Sequence, residues 1–241
     1  MYLEYSARLP ERAAWRSCGD ARAFLARLHS EADTSERFDL RLLHLTDAGQ
    51  PRHAPTAIRI GSRRHSLTIT GVGREAVECV QANASKAGAM LARYFGVKQE
   101  ERFVAGHCDV QAATSVRSYR ISSLVLLRRG FGRDRGGHTF ESILREGQYE
   151  HPALIEQVSR VIRLGIERQA SICLLDLPLL LLGDIKIHRL APVFVKANVY
   201  FLVGAVSFRA GLAFCGPWHM GYLQSRGYGR LSTVAPHRPQ S

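Results

Sequence analysis

Between residues 75 and 95 the apolar positions recur at the spacing of one helical face. Ala76, Val77, Val80, Ala84, Ala87, Met90, Leu91 and Tyr94 form a single stripe, and Gly96 follows as a stop. A helix of this length with one apolar stripe must bury that stripe against another layer. The flanking segments supply a sheet. Residues 56–60 and 65–70 read as the two arms of a hairpin around Gly61-Ser-Arg-Arg64, and residues 102–110 read as a strand. Upstream, residues 2–9 read as a first strand ending at Pro10. Asp20 is placed to cap a helix over residues 21–31, where Phe24, Leu25 and Leu28 lie at helical spacing. Residues 38–45 alternate as a second strand, followed by a turn over residues 47–51. This order is the split βαβ, or ferredoxin-like, pattern.

The second half repeats the theme less regularly. Residues 119–127 read as a strand, and a Gly/Arg-rich loop follows over residues 128–137. Residues 151–169 read as a helix with Leu154, Ile155, Val158, Val161, Ile162 and Leu164 inward, then residues 185–190, 198–203 and 205–214 are strand-like. The expected fold is α+β: tandem ferredoxin-like (RRM-like) domains over residues 1–114 and 115–234, with a C-terminal glycine-rich loop. Residues 235–241 are expected to form a frayed tail.

Composition narrows the partner. Of 33 basic residues against 21 acidic ones, 29 are arginines, and the formal charge is +12. Arginine offers a planar five-donor fork that suits phosphate and guanine edges and stacks on bases, although GC-rich coding also favours it. A balance of this size points to a polyanion, most simply nucleic acid. Hydrophobic content of 46% excludes a largely disordered chain. The longest apolar run, residues 172–182, is broken by Asp176 and Pro178 and is too short to span a bilayer. The start has no basic region leading into an apolar one, so no secretory signal is read. The five cysteines are scattered without a CxxC pair, and no acid–histidine cluster has metal-ligand spacing. A soluble cytoplasmic protein without metal or cofactor is expected.

Glycine clusters near the end: Gly204, Gly211, Gly216, Gly221, Gly227 and Gly229 fall within 26 residues. Such spacing serves tight turns between closing strands, and it also exposes backbone N–H groups to a phosphate chain. The stretch Gly221…Ser225-Arg226-Gly227-Tyr228-Gly229, then Arg230 and Leu231, resembles the C-terminal glycine-rich loop of the RAMP superfamily. It is most similar to that of the CRISPR repeat-processing endoribonucleases, and Val206-Ser-Phe-Arg-Ala-Gly-Leu212 resembles the strand leading into it. The arginine richness and the basic insert after Leu127 resemble the type IV branch of that family.

The resemblance implies a protein that binds a hairpin in precursor CRISPR RNA and cuts at its 3′ base without metal, then remains on its product in an effector complex. The 2′-hydroxyl attacks the adjacent phosphorus, leaving a 2′,3′-cyclic phosphate and a 5′-hydroxyl. That reaction needs a base, an acid and cations around the phosphorane. The family places a catalytic histidine on or just after its first helix, the region of His29. Arg22, seven residues earlier, shares a helical face with His29, and Arg37 follows the helix. An arginine-based site without an essential histidine is therefore also open, and His44 is a further candidate. The family's helper tyrosine or lysine has no counterpart here.

For RNA binding, Arg128, Arg129, Arg133 and Arg135 lie among four glycines around Phe131, as a clamp would. Arg160, Arg163 and Arg168 lie near one polar side of the following helix, which a solvated face explains equally. Arg226, Gly227, Gly229 and Arg230 belong to the terminal loop, and Arg27 pairs with Arg22 on the first helix. Gly71-Val-Gly-Arg-Glu-Ala76 matches a dinucleotide-binding turn but lacks the parallel βαβ series that such a turn requires. Two readings stand at this point: a metal-independent endoribonuclease, and a non-catalytic RNA-binding scaffold of the same fold.

Overall fold

The computed structural model describes residues 1–10, 18–46, 48, 57–63, 66–127, 143, 146–195, 198–226 and 228–234. It divides into two compact units: Met1–Cys108 with Gln224–Gly227, and Asp109–Leu223 with Tyr228–Ser241.

The first unit runs β1 (Tyr2–Arg8), α1 (Cys18–Glu31), β2 (Ile58–Arg63), β3 (Ser66–Val72), α2 (Arg74–Phe95), β4 (Glu101–Gly106). Its sheet is antiparallel in the order β2-β3-β1-β4, the order of a ferredoxin-like unit. The period-2 pattern of β1 turns Leu3, Tyr5 and Ala7 inward. They join Leu67 and Ile69 of β3 in one core with Val80, Ala84, Ala87 and Leu91 of α2. Gly96 ends α2 in the left-handed region at φ 63°, where its N–H bonds back to the last turn.

Three sequence expectations change here. Residues 38–45 form no strand: Leu40–Leu43 is a 3₁₀ turn that buries Leu42 and Leu43 beside Phe38. Turn chemistry prevails, because the Asp39 side chain accepts the Arg41 N–H at 2.8 Å while Asn83 on α2 accepts the Asp39 N–H at 2.9 Å. The first hairpin arm, β2, supplies the strand that the fold needs. Asp20 lies within α1, which begins at Cys18, so it is not the cap. Residues 102–110 do not form one strand either. β4 stops at Gly106, and Asp109 opens the next strand.

The second unit contains β5 (Asp109–Leu127), α3 (Pro152–Cys173), β6 (Leu182–Val195), β7 (Asn198–Cys215) and β8 (Leu231–Thr233). The order β6-β7-β5-β8 repeats the connectivity of the first sheet, again antiparallel. β5 is far longer than the strand expected over residues 119–127, and it carries a register shift between Ala112 and Arg117. The stretches 198–203 and 205–214 are one strand, since Gly204 keeps its pairing to Ser123. Tyr119, Ile121, Phe208 and Val206 pack with Leu154, Val158, Ile162 and Ile166 of α3, and Trp218 completes this core. Where a second crossover helix would stand, the described residues from Gly216 to Arg230 hold only the short 3₁₀ turn Gln224–Arg226. No helix among the described residues is long and apolar enough to cross a membrane. The architecture is the expected one: α+β, with tandem ferredoxin-like units.

Candidate nucleic-acid site

The end of α1 and the loop after it form a corner. His29 is half-buried in the last turn, with Nε2 at 2.9 Å from the Phe38 carbonyl oxygen. Its ring meets the Phe38 ring edge-on at 4.9 Å. Arg37, the neighbour of Phe38, donates from Nε to the Ala32 carbonyl at 3.0 Å and is otherwise exposed. This bond folds the loop back onto the helix end and brings Arg37 to the corner that His29 closes. Arg22, half-buried, lies two helical turns before His29 on the same face. Arg27 does not share that face. Its guanidinium lies 4.9 Å from the centre of the Phe24 ring and pairs with Glu31 at 3.9 Å. His44 is the residue closing the 3₁₀ turn, half-buried at φ 57°, with its N–H bonded to Arg41.

Across the corner, Glu36 and Arg93 are joined at 2.7 Å. The hydrogen bond from Arg93 holds the Glu36 carboxyl below its ordinary range, so it stays ionised.

The Gln224–Arg226 turn packs against β2 and α1, within the first unit. Arg59 of β2 is 2% exposed and donates from Nη2 to Gln224 Oε1 at 3.3 Å. The helix carrying Arg22 and His29 and the turn of the glycine segment therefore meet in the same unit. Arg59 escaped the sequence reading because an arginine in a hairpin arm looks like a solvated strand residue. The only available signal was its place between Ile58 and Ile60.

The stem of the segment is held differently. Gly229 is buried at φ 80°, and its N–H donates to the Ser123 carbonyl at 2.8 Å while its own carbonyl accepts from Met220 at 2.9 Å. That amide is engaged inside the protein, so Gly229 serves close backbone packing. Gly221, at φ 85°, lies against the Val125 backbone. From α3, Gln169 donates Nε2 to the Pro217 carbonyl at 2.7 Å, and its Oε1 accepts the His219 N–H at 3.1 Å. Arg230 is exposed and bridges to His219.

On α3, Arg160, Arg163 and Arg168 are all exposed. At ~100° per residue, Arg160 and Arg163 share a sector of roughly 60° with Glu156 and Glu167, and Arg168 is turned about 80° away from Arg160. That face is mixed in sign. Arg128, Arg129, Arg133, Arg135 and Gly227 lie outside the described residues, as do the 64–65 hairpin tip and residues 235–241; of Arg226 only the backbone is described. No group of metal-ligating side chains occurs among the described residues.

The chain thus has two ferredoxin-like units, a basic balance and a glycine-bearing turn packed against the first helix. Residues 5–236 match the family described as type IV CRISPR-associated endonuclease Csf5, and the chain belongs to that family. Among solved structures it is similar to "Csf5, CRISPR-Cas type IV Cas6 crRNA endonuclease", at 19% identity and TM-score 0.59, over 97% of this chain and 99% of that one. A structure titled "Crystal structure of Cas6b" matches at 14% identity and TM-score 0.56, over 97% and 100%. No curated protein matches the sequence.

Proposed function

We propose that this chain recognises a CRISPR repeat hairpin and cleaves precursor CRISPR RNA by metal-independent transesterification, then stays with the mature guide as part of a cytoplasmic effector complex. The family membership supports the RNA partner and the endonuclease chemistry. The observation that supports the assignment of residues is that the Gln224–Arg226 turn packs against α1, the helix that carries Arg22 and His29.

In this reading the 2′-hydroxyl oxygen attacks the adjacent phosphorus and the P–O5′ bond breaks. The 2′-OH proton goes to a base, and the leaving 5′-oxygen receives a proton from an acid. The nucleophile belongs to the substrate, so the protein need supply only proton transfer and positive charge. His29 suits the proton transfers: with Nε2–H given to Phe38, Nδ1 is the acceptor. Arg22 and Arg37 suit the developing phosphorane charge. The clamp of Arg128, Arg129, Arg133 and Arg135, with Arg226 and Arg230, is assigned to the hairpin backbone.

The test is incubation with the cognate repeat RNA in EDTA. One cut leaving a 2′,3′-cyclic phosphate is expected, and an intact repeat sinks the catalytic claim. A second reading, a non-catalytic RNA-binding subunit, draws on the engagement of His29 with the Phe38 carbonyl. It requires tight hairpin binding without product, unchanged in His29→Ala and Arg22→Ala.

A further inference from the structure

The strands of the second sheet carry Arg117, Arg120, Lys186, Arg189 and Arg209 against only two acids, Asp109 and Asp184. Asp184 is already paired with Arg209 at 3.0 Å. One face of this sheet packs on α3. On the other, alternate residues are exposed: Ser118, Arg120 and Ser122 of β5, Lys186 and His188 of β6, Arg209 of β7 and Ser232 of β8. The registers align three of these positions with the half-buried Ser207 of β7 in one row across all four strands. Lys186 pairs with Ser207, Ser207 with Arg120, and Arg120 with Ser232. With strands ~4.8 Å apart, the two cations stand about 10 Å apart on either side of Ser207. His188 Nε2 lies 3.2 Å from Ser207 Oγ.

The geometry points to the Lys186–Ser207–Arg120–Ser232 row as a second RNA-binding site, taking the sugar–phosphate backbone of single-stranded RNA. Two cations and two hydroxyls on a rigid sheet complement successive phosphates. The aromatic residues next to this row offer no base stacking, since Tyr119 and Phe208 point into the core at 0% and 1% exposure. The site therefore reads backbone and is indifferent to sequence, unlike an aromatic sheet platform. The inference rests on the proposed role in RNA processing for its ligand, but not on the catalytic corner.

The experiment measures binding of the full chain to an unstructured oligouridine of about twenty nucleotides between about 50 and 200 mM salt. In Arg120→Gln/Lys186→Gln the slope of log affinity against log salt becomes shallower by about 1.4, the value for two lost single-strand phosphate contacts. The charge-matched control Lys86→Gln/Lys98→Gln, at exposed positions of the first unit, keeps the wild-type slope. Arg120→Lys/Lys186→Arg keeps it too, and equal Tm values show that every variant is folded. An unchanged slope in the Gln pair, an equal change in the control, or no oligouridine binding by the wild type overturns the site. Cleavage of the repeat hairpin is followed on the same preparations. A chain that leaves the repeat intact but shows the full slope and its loss refutes the catalytic reading and keeps the sheet site.

Discussion

The Nε2 of His29 lies 2.9 Å from the carbonyl oxygen of Phe38, and the same stretch of loop carries Arg37. The corner is thus built by a hydrogen bond that also fixes which imidazole nitrogen faces away. In His29→Gln the amide can still donate to Phe38, whereas His29→Ala leaves that carbonyl without this partner at a cost of about 1 kcal/mol. If His29 transfers the proton, both variants lose cleavage, and only the alanine variant loses stability. Single-turnover kinetics beside urea titrations separate the two effects; full cleavage in the glutamine variant removes His29 from the chemistry.

Arg22 and Arg37 are assigned to phosphorane charge. Alanine at either position should lower the single-turnover rate by about 100-fold, the scale for removing one preorganised donor. Hairpin affinity should fall far less. A proportional loss of affinity and rate would place these arginines in ground-state binding.

Gly229 and Gly211 make a sharp contrast within one cluster. A Cβ at Gly229 has no room beside the Met220 backbone, and its φ is 80°, whereas nothing lies within 4 Å of a Cβ at Gly211. Gly229→Ala should cost about 1–3 kcal/mol or more, and Gly211→Ala should stay within roughly 0.5 kcal/mol. Denaturant midpoints decide this, and equal stability of the two variants would contradict the packing of the stem.

Gln169 is the one polar side chain of α3 that is both buried and paired at each end of its amide. Gln169→Leu strands the Pro217 carbonyl and the His219 N–H, with a loss of about 2–4 kcal/mol. Hydrogen exchange at His219 should accelerate more than at core amides of β7. Uniform acceleration would mean that the amide does not anchor this stretch.

Glu36 has a carboxyl pKa lowered by the hydrogen bond from Arg93. Because the folded value lies below the unfolded one, the stabilisation is present above the unfolded pKa and is lost as pH falls through the folded value. In Arg93→Gln the Glu36 carboxyl should titrate back at the ordinary glutamate range by NMR. The pair is exposed, so added salt should weaken the effect in the wild type.

Sequence periodicity made α2 and α3 legible because each has one uninterrupted apolar stripe and, for α2, a glycine stop. It misread residues 38–45 because Phe38, Leu40 and Leu42 mimic a strand while Asp39 dictates a turn. Glycine spacing singled out the terminal segment, and the family resemblance pointed to His29 near the end of α1. They could not show that Arg59 reaches Gln224, a contact across 165 residues of sequence. Gln169 was equally hidden, since a polar residue on an amphipathic helix is ordinarily solvated.

The strand order of the second sheet has a consequence for synthesis. β5 pairs with β7 and with β8, so Asp109 waits for Cys215 and Ile121 for Leu231. At translation rates of about 5–20 residues per second, β5 emerges roughly 5–20 s before its last partner. Until β7 follows it, a long strand containing Leu124, Val125 and Leu126 has two open edges, and one stays open until β8. Nascent chains that stall between β5 and β8 should therefore be the aggregating species, and slower growth temperature should help only if it favours chaperone capture over strand exchange.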